Sequence, residues 1–141
     1  MELQSTKGLT QQEFEAFFCD QIPNFNQEEM KKYGYFLYKE HSPTAFFSLV
    51  PVDSNAYWLR MLVMKRSPSA MLPVTIIQAA EKLTKNFGAT NLFIHSKTET
   101  LNQLLLQLGY TSTDQTLDPL IEADWWITSL ASVDNQQIYS Q

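Results

Sequence analysis

Tyr57-Trp58-Leu59-Arg60-Met61-Leu62-Val63-Met64 opens the stretch that decides the fold, a run that continues to Tyr110. Seven aromatic and apolar residues broken only by Arg60 predict a strand. The loop Lys65-Arg66-Ser67-Pro68-Ser69-Ala70-Met71-Leu72-Pro73 follows, and Pro73 suits the first turn of a helix, where its missing N–H costs nothing. Ile76, Ile77, Ala80, Leu83 and Phe87 form a buried stripe, and Gly88 is the expected terminator. Asn91-Leu92-Phe93-Ile94-His95 reads as a second strand. Thr98 can cap the next helix, whose apolar face is Leu101, Leu104, Leu105 and Leu108 and which closes at Gly109. A crossover of this length implies parallel strands with a right-handed connection.

Outward toward the N-terminus, two helix starts are written in capping language. Thr10-Gln11-Gln12-Glu13 is a capping box with Leu9 and Phe14 as its hydrophobic staple. Phe14, Phe17, Phe18 and Ile22 then share one face, and Pro23 ends that helix. Asn26-Gln27-Glu28-Glu29 repeats the pattern, with Phe25 and Met30 as staple. Gly34 and a β-rich run keep this second helix short. Strands over Tyr35–Lys39 and Ala45–Val50 flank a hairpin loop, His41-Ser42-Pro43-Thr44, and Asp53-Ser54-Asn55 turns the chain into the strand at Tyr57. Toward the C-terminus, Asp118-Pro119 marks a turn and Asp124–Leu130 a closing strand. Ala131–Gln141 is a polar tail after one domain over residues 1–130.

A chain of 141 residues buries enough surface for one core, about 68–70% of what its unfolded form exposes. Hydrophobic residues make up 44% and charged residues 18%, a globular composition. The net charge of −5 argues against nucleic-acid or anionic-membrane partners, which need a basic surface. Cys19 stands alone, so metal-ligand spacing and an internal disulfide are absent, and its neighbours Phe17 and Phe18 make it a small buried thiol. No signal-peptide pattern opens the sequence and no apolar run approaches the roughly 20 residues of a membrane span, so a cytoplasmic location is the reading.

The order of helix, helix, three antiparallel strands, loop, helix, parallel strand, helix and closing hairpin resembles the GCN5-related N-acetyltransferase (GNAT) family over about Gly8 to Leu130. The resemblance is carried by Leu62-Val63, by Ile76 to Leu83, by Phe87-Gly88-Ala89-Thr90-Asn91-Leu92, and by Leu104-Leu105-Leu106-Gln107-Leu108-Gly109-Tyr110. The last piece is similar to the family's Leu-Tyr-x-Lys-x-Gly-Phe ending. The implied fold is α/β (α+β): a mixed, mostly antiparallel central sheet with one splayed parallel pair and helices on both faces. Members bind acetyl-CoA in that splay. The resemblance places the pantetheine arm on Leu62, Val63 and Met64, and the pyrophosphate on the loop and helix start at Arg66, Ser69, Ala70, Met71 and Leu72, with Thr98 nearby.

This chain departs from the family's Arg/Gln-x-x-Gly-x-Gly/Ala loop. Pro68 stands at the Arg/Gln position, Met71 at the first glycine and Pro73 at the second, so side chains crowd the site and one N–H donor is gone. Arg66, Ser67 and Ser69 offer charge and hydroxyls in compensation. A polar loop entering the helix through a serine cap reads the same residues without a ligand. Lys65, Arg66 and Arg60 are the one dense basic group, able to attract CoA phosphates or simply to be solvated.

The family's Tyr, placed to protonate the leaving thiolate, is matched by Leu105. The central strand offers Arg60 and no carboxylate. His95, at a strand end and with an unperturbed pKa near 6.5, is the candidate for proton transfer, set against a histidine merely satisfied there. Tyr57 and Tyr110 read as core or rim aromatics. Glu122 and Asp124 read as a solvated edge, and His41 with Glu40 as loop polarity. Trp125 and Trp126 point to opposite faces, one toward the core and one toward a partner surface.

The resemblance therefore implies an acetyl-CoA-dependent N-acetyltransferase whose partners are an acyl-CoA and a primary amine of a metabolite or protein. Homodimerisation stays open. The alternative is an inactive interaction module of the same fold that has lost CoA binding, and a third reading is a different acyl-thioester ligand.

Overall fold

The computed structural model describes residues 2–18, 27–64 and 71–130. Seven strands form one sheet in the order β1-β2-β3-β4-β5-β7-β6. They are β1 (Glu2–Ser5), β2 (Gly34–Lys39), β3 (Ser42–Asp53), β4 (Ala56–Met64), β5 (Asn91–Ser96), β6 (Thr111–Thr113) and β7 (Asp124–Ser129). Helices α1 (Gln11–Phe18), α2 (Gln27–Tyr33), α3 (Leu72–Asn86) and α4 (Glu99–Gln107), with a 3-10 turn at Thr6–Gly8, are the other regular elements among the described residues. Every strand pairing is antiparallel except β4 with β5. Two short hairpins precede β4, whereas the fifteen-residue α3 carries the chain back to begin β5 alongside it, as the crossover length predicts.

Alternation along the strands divides the core into two sides. Tyr35, Leu37, Ala45, Phe47, Leu49, Leu59, Leu92 and Ile94 meet the stripe of α3 (Ile76, Ile77, Ala80) and Leu105 of α4. On the opposite side, Phe36 and Phe46 pack with Phe14, Phe17 and Phe18 of α1 and Met30 of α2. A third cluster, Ala56, Trp58, Phe93 and Trp125, continues that side and packs against Leu117 and Ile121 of the segment before β7.

The written signals have their structural counterparts. Thr10 and Glu13 exchange the reciprocal capping-box bonds, at 3.2 Å each. The Thr98 hydroxyl accepts the Leu101 N–H at 3.2 Å as the cap of α4. Gly88 and Gly109 follow α3 and α4 with φ of 86° and 91°. At the Asp118 turn, Asp118 accepts backbone bonds from Leu120 and Ile121.

Three readings change. Strand β1 was not anticipated: its residues are all exposed and carry no alternation, yet it pairs with β2 along an edge. The first hairpin loop is shorter than His41–Thr44. Glu40 and His41 alone make the turn, both with positive φ (52° and 69°), and Ser42 already belongs to β3. Such a turn ordinarily takes Asn and Gly, so Glu-His conceals it. Pro43 enters the ladder opposite Tyr38 beside an irregularity, where Thr44 donates its hydroxyl to the Leu37 carbonyl at 3.0 Å. The expected serine cap on α3 is replaced, since Met71 is the N-cap and its side chain makes no capping hydrogen bond. Ile22, Pro23, Phe25, Asn26, Cys19 and the 131–141 tail lie outside the described residues.

Gly34 opens β2 where the α2 backbone crosses the sheet. A Cβ there would meet the Met30 carbonyl oxygen and a Phe46 ring carbon at 2.5 Å, whereas one on Gly8 would meet nothing within 4 Å. Gly34→Ala is expected to lower unfolding free energy by roughly 2–3 kcal/mol through overpacking. Gly8→Ala should stay within about 0.5 kcal/mol of the parent in the same urea titration. Equal midpoints for the two variants would refute this close approach.

Candidate active site: a slot between diverging strands

The parallel ladder pairs Ala56–Leu59 with Asn91–Ile94 and goes no further. At that point β4 changes register against β3: Ser48 lies opposite Met61 and Leu49 opposite Leu59, leaving Arg60 as the extra residue of a bulge. A bulge bends its strand and raises the local twist. Past Leu59 and Ile94 the two strands therefore part. The splayed parallel pair implied by the resemblance is present, with its paired segment ahead of the Leu62–Met64 stretch assigned to the pantetheine arm.

The opening is a cleft of about 270 Å³ lined by Leu59, Arg60, Leu62, Met64, Ile77, Ile94, His95, Lys97, Thr98 and Leu101. Leu59, Leu62, Ile77, Ile94 and Leu101 belong to the α3/α4 side of the core. Arg60 and His95 lie with Trp58, on the other side of the sheet. The cleft is thus a slot through the sheet, apolar on one side and polar on the other.

Of the site residues inferred from sequence, Leu62, Met64, His95 and Thr98 meet in this slot. Val63 faces away and packs with the α1/α2 cluster, so only its backbone could serve a ligand in the slot. Leu72 is buried in the core and Met71 is exposed at the start of α3. Arg66, Ser69 and Ala70, with Lys65, lie outside the described residues. Ile77 and Leu101 were read as core stripe alone; the additional fact, that a stripe can line a gap, is not encoded in its period.

Of the expected basic group, Arg60 alone is described, and it is paired with carboxylates. Its Nη1 lies 3.3 Å from Glu29 Oε1 of α2 and its Nη2 3.6 Å from Asp118 Oδ2, and its guanidinium sits 4.8 Å from the Trp58 ring centroid. The strand itself brings no carboxylate, but two reach it from elements remote in sequence. These pairs are about a quarter exposed.

His95 is held by an indole. Trp58 Nε1–H donates to His95 Nδ1 at 3.0 Å, and the imidazole lies 5.3 Å from the Trp125 ring. Burial, then the positive charges of Lys97 and Arg60, lower its pKa from 6.5 to about 4, against an opposing pull from Asp118. The unperturbed value of 6.5 therefore does not carry over to the folded chain, and the shift favours the neutral imidazole.

The other candidates resolve as packing. Leu105 is fully buried in the α3/α4 core. The Tyr110 hydroxyl donates to Glu81 Oε2 at 2.7 Å, with its own pKa raised by burial and by that carboxylate. Tyr57 packs against Phe87. Asp124 accepts a bond from Asn102 Nδ2 at 2.8 Å, and Asn102 Oδ1 accepts one from Trp126 Nε1. Trp125 and Trp126 do occupy opposite faces, but both are buried, which removes the exposed tryptophan expected to mark a partner surface. Among the described residues no His, Cys, Asp and Glu group is gathered to hold a metal ion, and no helix is long and apolar enough to cross a membrane.

The residues present match CoA unevenly. Beyond Leu59, β4 has no ladder partner on its β5 side, which leaves an edge that an extended amide-bearing arm could join. At the start of α3, Leu72 and Val74 retain first-turn N–H groups while Pro73 has none. Among the described residues the pantetheine end of such a ligand is the better provided for, and most of the loop inferred to face the pyrophosphate lies outside them.

His95 supplies a pH test. Its folded-state pKa lies below the unfolded value, so the unfolded chain binds more protons between them. The histidine's contribution to stability is complete above about pH 6.5 and is lost as pH falls toward 4. Urea midpoints should fall more steeply across that window for the wild type than for His95→Gln. Parallel pH profiles would contradict the depressed pKa.

No family model and no curated protein sequence matches this chain. Solved structures do. A GNAT family acetyltransferase from Elizabethkingia anophelis with acetyl-CoA bound superposes with a TM-score of 0.69 at 13% identity, over 92% of this chain and 97% of the other. Ard1 from Thermoplasma volcanium gives 0.68 at 8% identity over 92% and 97%. N-acetylglutamate synthase from Neisseria gonorrhoeae, complexed with coenzyme A and N-acetyl-glutamate, gives 0.69 at 9% identity. There the match covers 92% of this chain but only 35% of the synthase, about a third of its length. With the splayed parallel pair, the mixed sheet and helices on both faces, this chain has the fold of the GCN5-related N-acetyltransferases.

Proposed function

We propose that the protein is an N-acyltransferase that moves an acyl group, acetyl in the first instance, from acyl-CoA to a primary amine of a small molecule or protein. The observation that carries this reading is the slot opened where the β4–β5 ladder ends. Structures of the same fold contain CoA or acetyl-CoA, which supports the donor. In the reaction the amine nitrogen attacks the thioester carbon, the C–S bond breaks, and one proton passes from nitrogen to the departing thiolate or to solvent.

This chain's residues would contribute placement. The unpartnered edge of β4 at Leu62–Met64 would hold the pantetheine amides. The N–H groups of Leu72 and Val74 would face the phosphates, aided by Arg66 and Ser69 of the loop. Leu59, Leu62, Ile77, Ile94 and Leu101 would exclude water from the thioester's side of the slot. Holding donor and acceptor together supplies much of the acceleration in such a transfer.

The non-catalytic module of the same fold is the second reading. It is favoured by burial of Leu105 at the position of the family's Tyr and by Pro73 in the first turn of α3.

Calorimetric titration of acetyl-CoA and of CoA into the purified protein separates the two. Binding should release heat and raise the thermal midpoint, because a ligand of the native state adds to its stability. Leu101→Trp, which fills the slot from α4, should weaken that binding at least about tenfold while leaving the circular dichroism spectrum unchanged. No heat and no stabilisation at millimolar ligand would refute the acyltransferase and favour the binding module.

A further inference from the structure

Trp58 and His95 form a pair whose chemistry is decided by one proton. An indole nitrogen can only donate a hydrogen bond, so the His95 Nδ1 that faces Trp58 Nε1 at 3.0 Å must present a lone pair. In a neutral imidazole the single N–H is then on Nε2. That nitrogen has no hydrogen-bond partner among the described residues, and it is not one of their sealed, unsatisfied polar atoms. The ring lines the slot, so its remaining polar atom is an accessible donor beside the cleft.

We propose that His95 presents Nε2–H as a fixed hydrogen-bond donor to the carbonyl oxygen of an acyl thioester in the slot. This rests on the acyltransferase reading above and sharpens it, because it changes the histidine from a proton carrier into an electrophilic group. Elimination selects the carbonyl. An ammonium has only donors and cannot accept the bond. A free amine could accept it only with the lone pair it needs for attack. The thioester oxygen has lone pairs to spare and gains negative charge as the C–N bond forms. A donor already aimed at it gives more to the transition state than to the ground state.

The surroundings keep the donor in place. Lys97 on the same segment and Arg60 from β4 face the ring with positive charge, and Asp118 faces it from the segment before β7. Trp58 and Trp125 pack against it and against each other, the three ring centroids lying 5.3–5.5 Å apart in a triangle. The balance opposes an imidazolium, so the Nδ1 lone pair remains available to the indole. Removal of the indole N–H in Trp58→Phe would free that lone pair and let the proton exchange between the two nitrogens.

Long-range proton–nitrogen correlation spectra of the wild-type protein should show His95 as the Nε2–H tautomer at neutral pH, and Trp58→Phe should shift it toward a mixture of both. A wild-type Nδ1–H signal overturns the inference whatever the ligand does. The second arm compares acetyl-CoA with S-ethyl-CoA, a thioether of similar shape without the carbonyl. Wild-type protein should prefer the thioester roughly 3- to 10-fold, as one net hydrogen bond gives. His95→Gln, whose amide nitrogen falls near the position of Nε2, should keep part of that preference and His95→Leu none. Equal affinities in the wild type, or a preference that survives His95→Leu, overturn the inference and leave the acyltransferase standing. Binding of neither ligand overturns both.

Discussion

The bulge at Arg60 is the constraint on which the rest of the molecule turns. It places two consecutive residues, Arg60 and Met61, on the same side of β4, so the strand changes direction at the residue where its parallel ladder with β5 ends. Opening a sheet in its middle exposes backbone donors and acceptors, which are costly to leave unpaired. The fold concentrates side-chain interactions at that opening. The Arg60 guanidinium lies over Trp58 and reaches Glu29 of α2 and Asp118 of the segment before β7, so three elements remote in sequence meet at the split. Removing one member of such a partly buried group costs more than forming it gains, because the remaining charges lose their partners where water is scarce.

Those same interactions explain how much of the molecule could be read from the chain. Capping is local: Thr10 with Glu13, and Thr98 with Leu101, lie three residues apart and appear in the structure as written. The α3 and α4 stripes are set by helical period, and parallel pairing of β4 with β5 follows from the length of the connection between them. The slot itself was legible only through family resemblance. A bulge is a mismatch between two strands, and nothing in the residues around Arg60 announces it. The Trp58–His95 bond spans 37 positions, and the reach of Glu29 to Arg60 spans 31. No pattern within a window can show either.

Errors in the reading have the same origin. Glu40 and His41 hold positive φ without glycine or asparagine because β2 and β3 are fixed to one another by the core on both faces, and tertiary packing overrides local preference. Strand β1 borrows its geometry from β2 and carries no amphipathic signature of its own. Trp125 and Trp126 do lie on opposite faces, but the far face is not the partner surface expected of it. It is covered by Leu117 and Ile121, in a segment with no regular structure to predict. A two-sided sheet cannot be told from a one-sided one when the second cover is irregular.

The same bias toward local signals bears on chemistry. A histidine at a strand end suggests acid–base work because its unperturbed pKa is near neutral. In the folded chain, burial and two nearby cations make His95 a poor base, and the indole of Trp58 takes up the lone pair that a base would use. Leu105 brings no ionisable group, and the Tyr110 hydroxyl is committed to Glu81. An acyl transfer in this slot would therefore draw little of its acceleration from proton shuttling by His95, Leu105 or Tyr110. It would rely on excluding water along an apolar wall, holding the donor on the free edge of β4, and directing dipoles at the oxygen where charge develops. A slot built this way needs its donor groups fixed more than it needs them titratable. That is the condition that the Trp58–His95–Trp125 ring cluster meets.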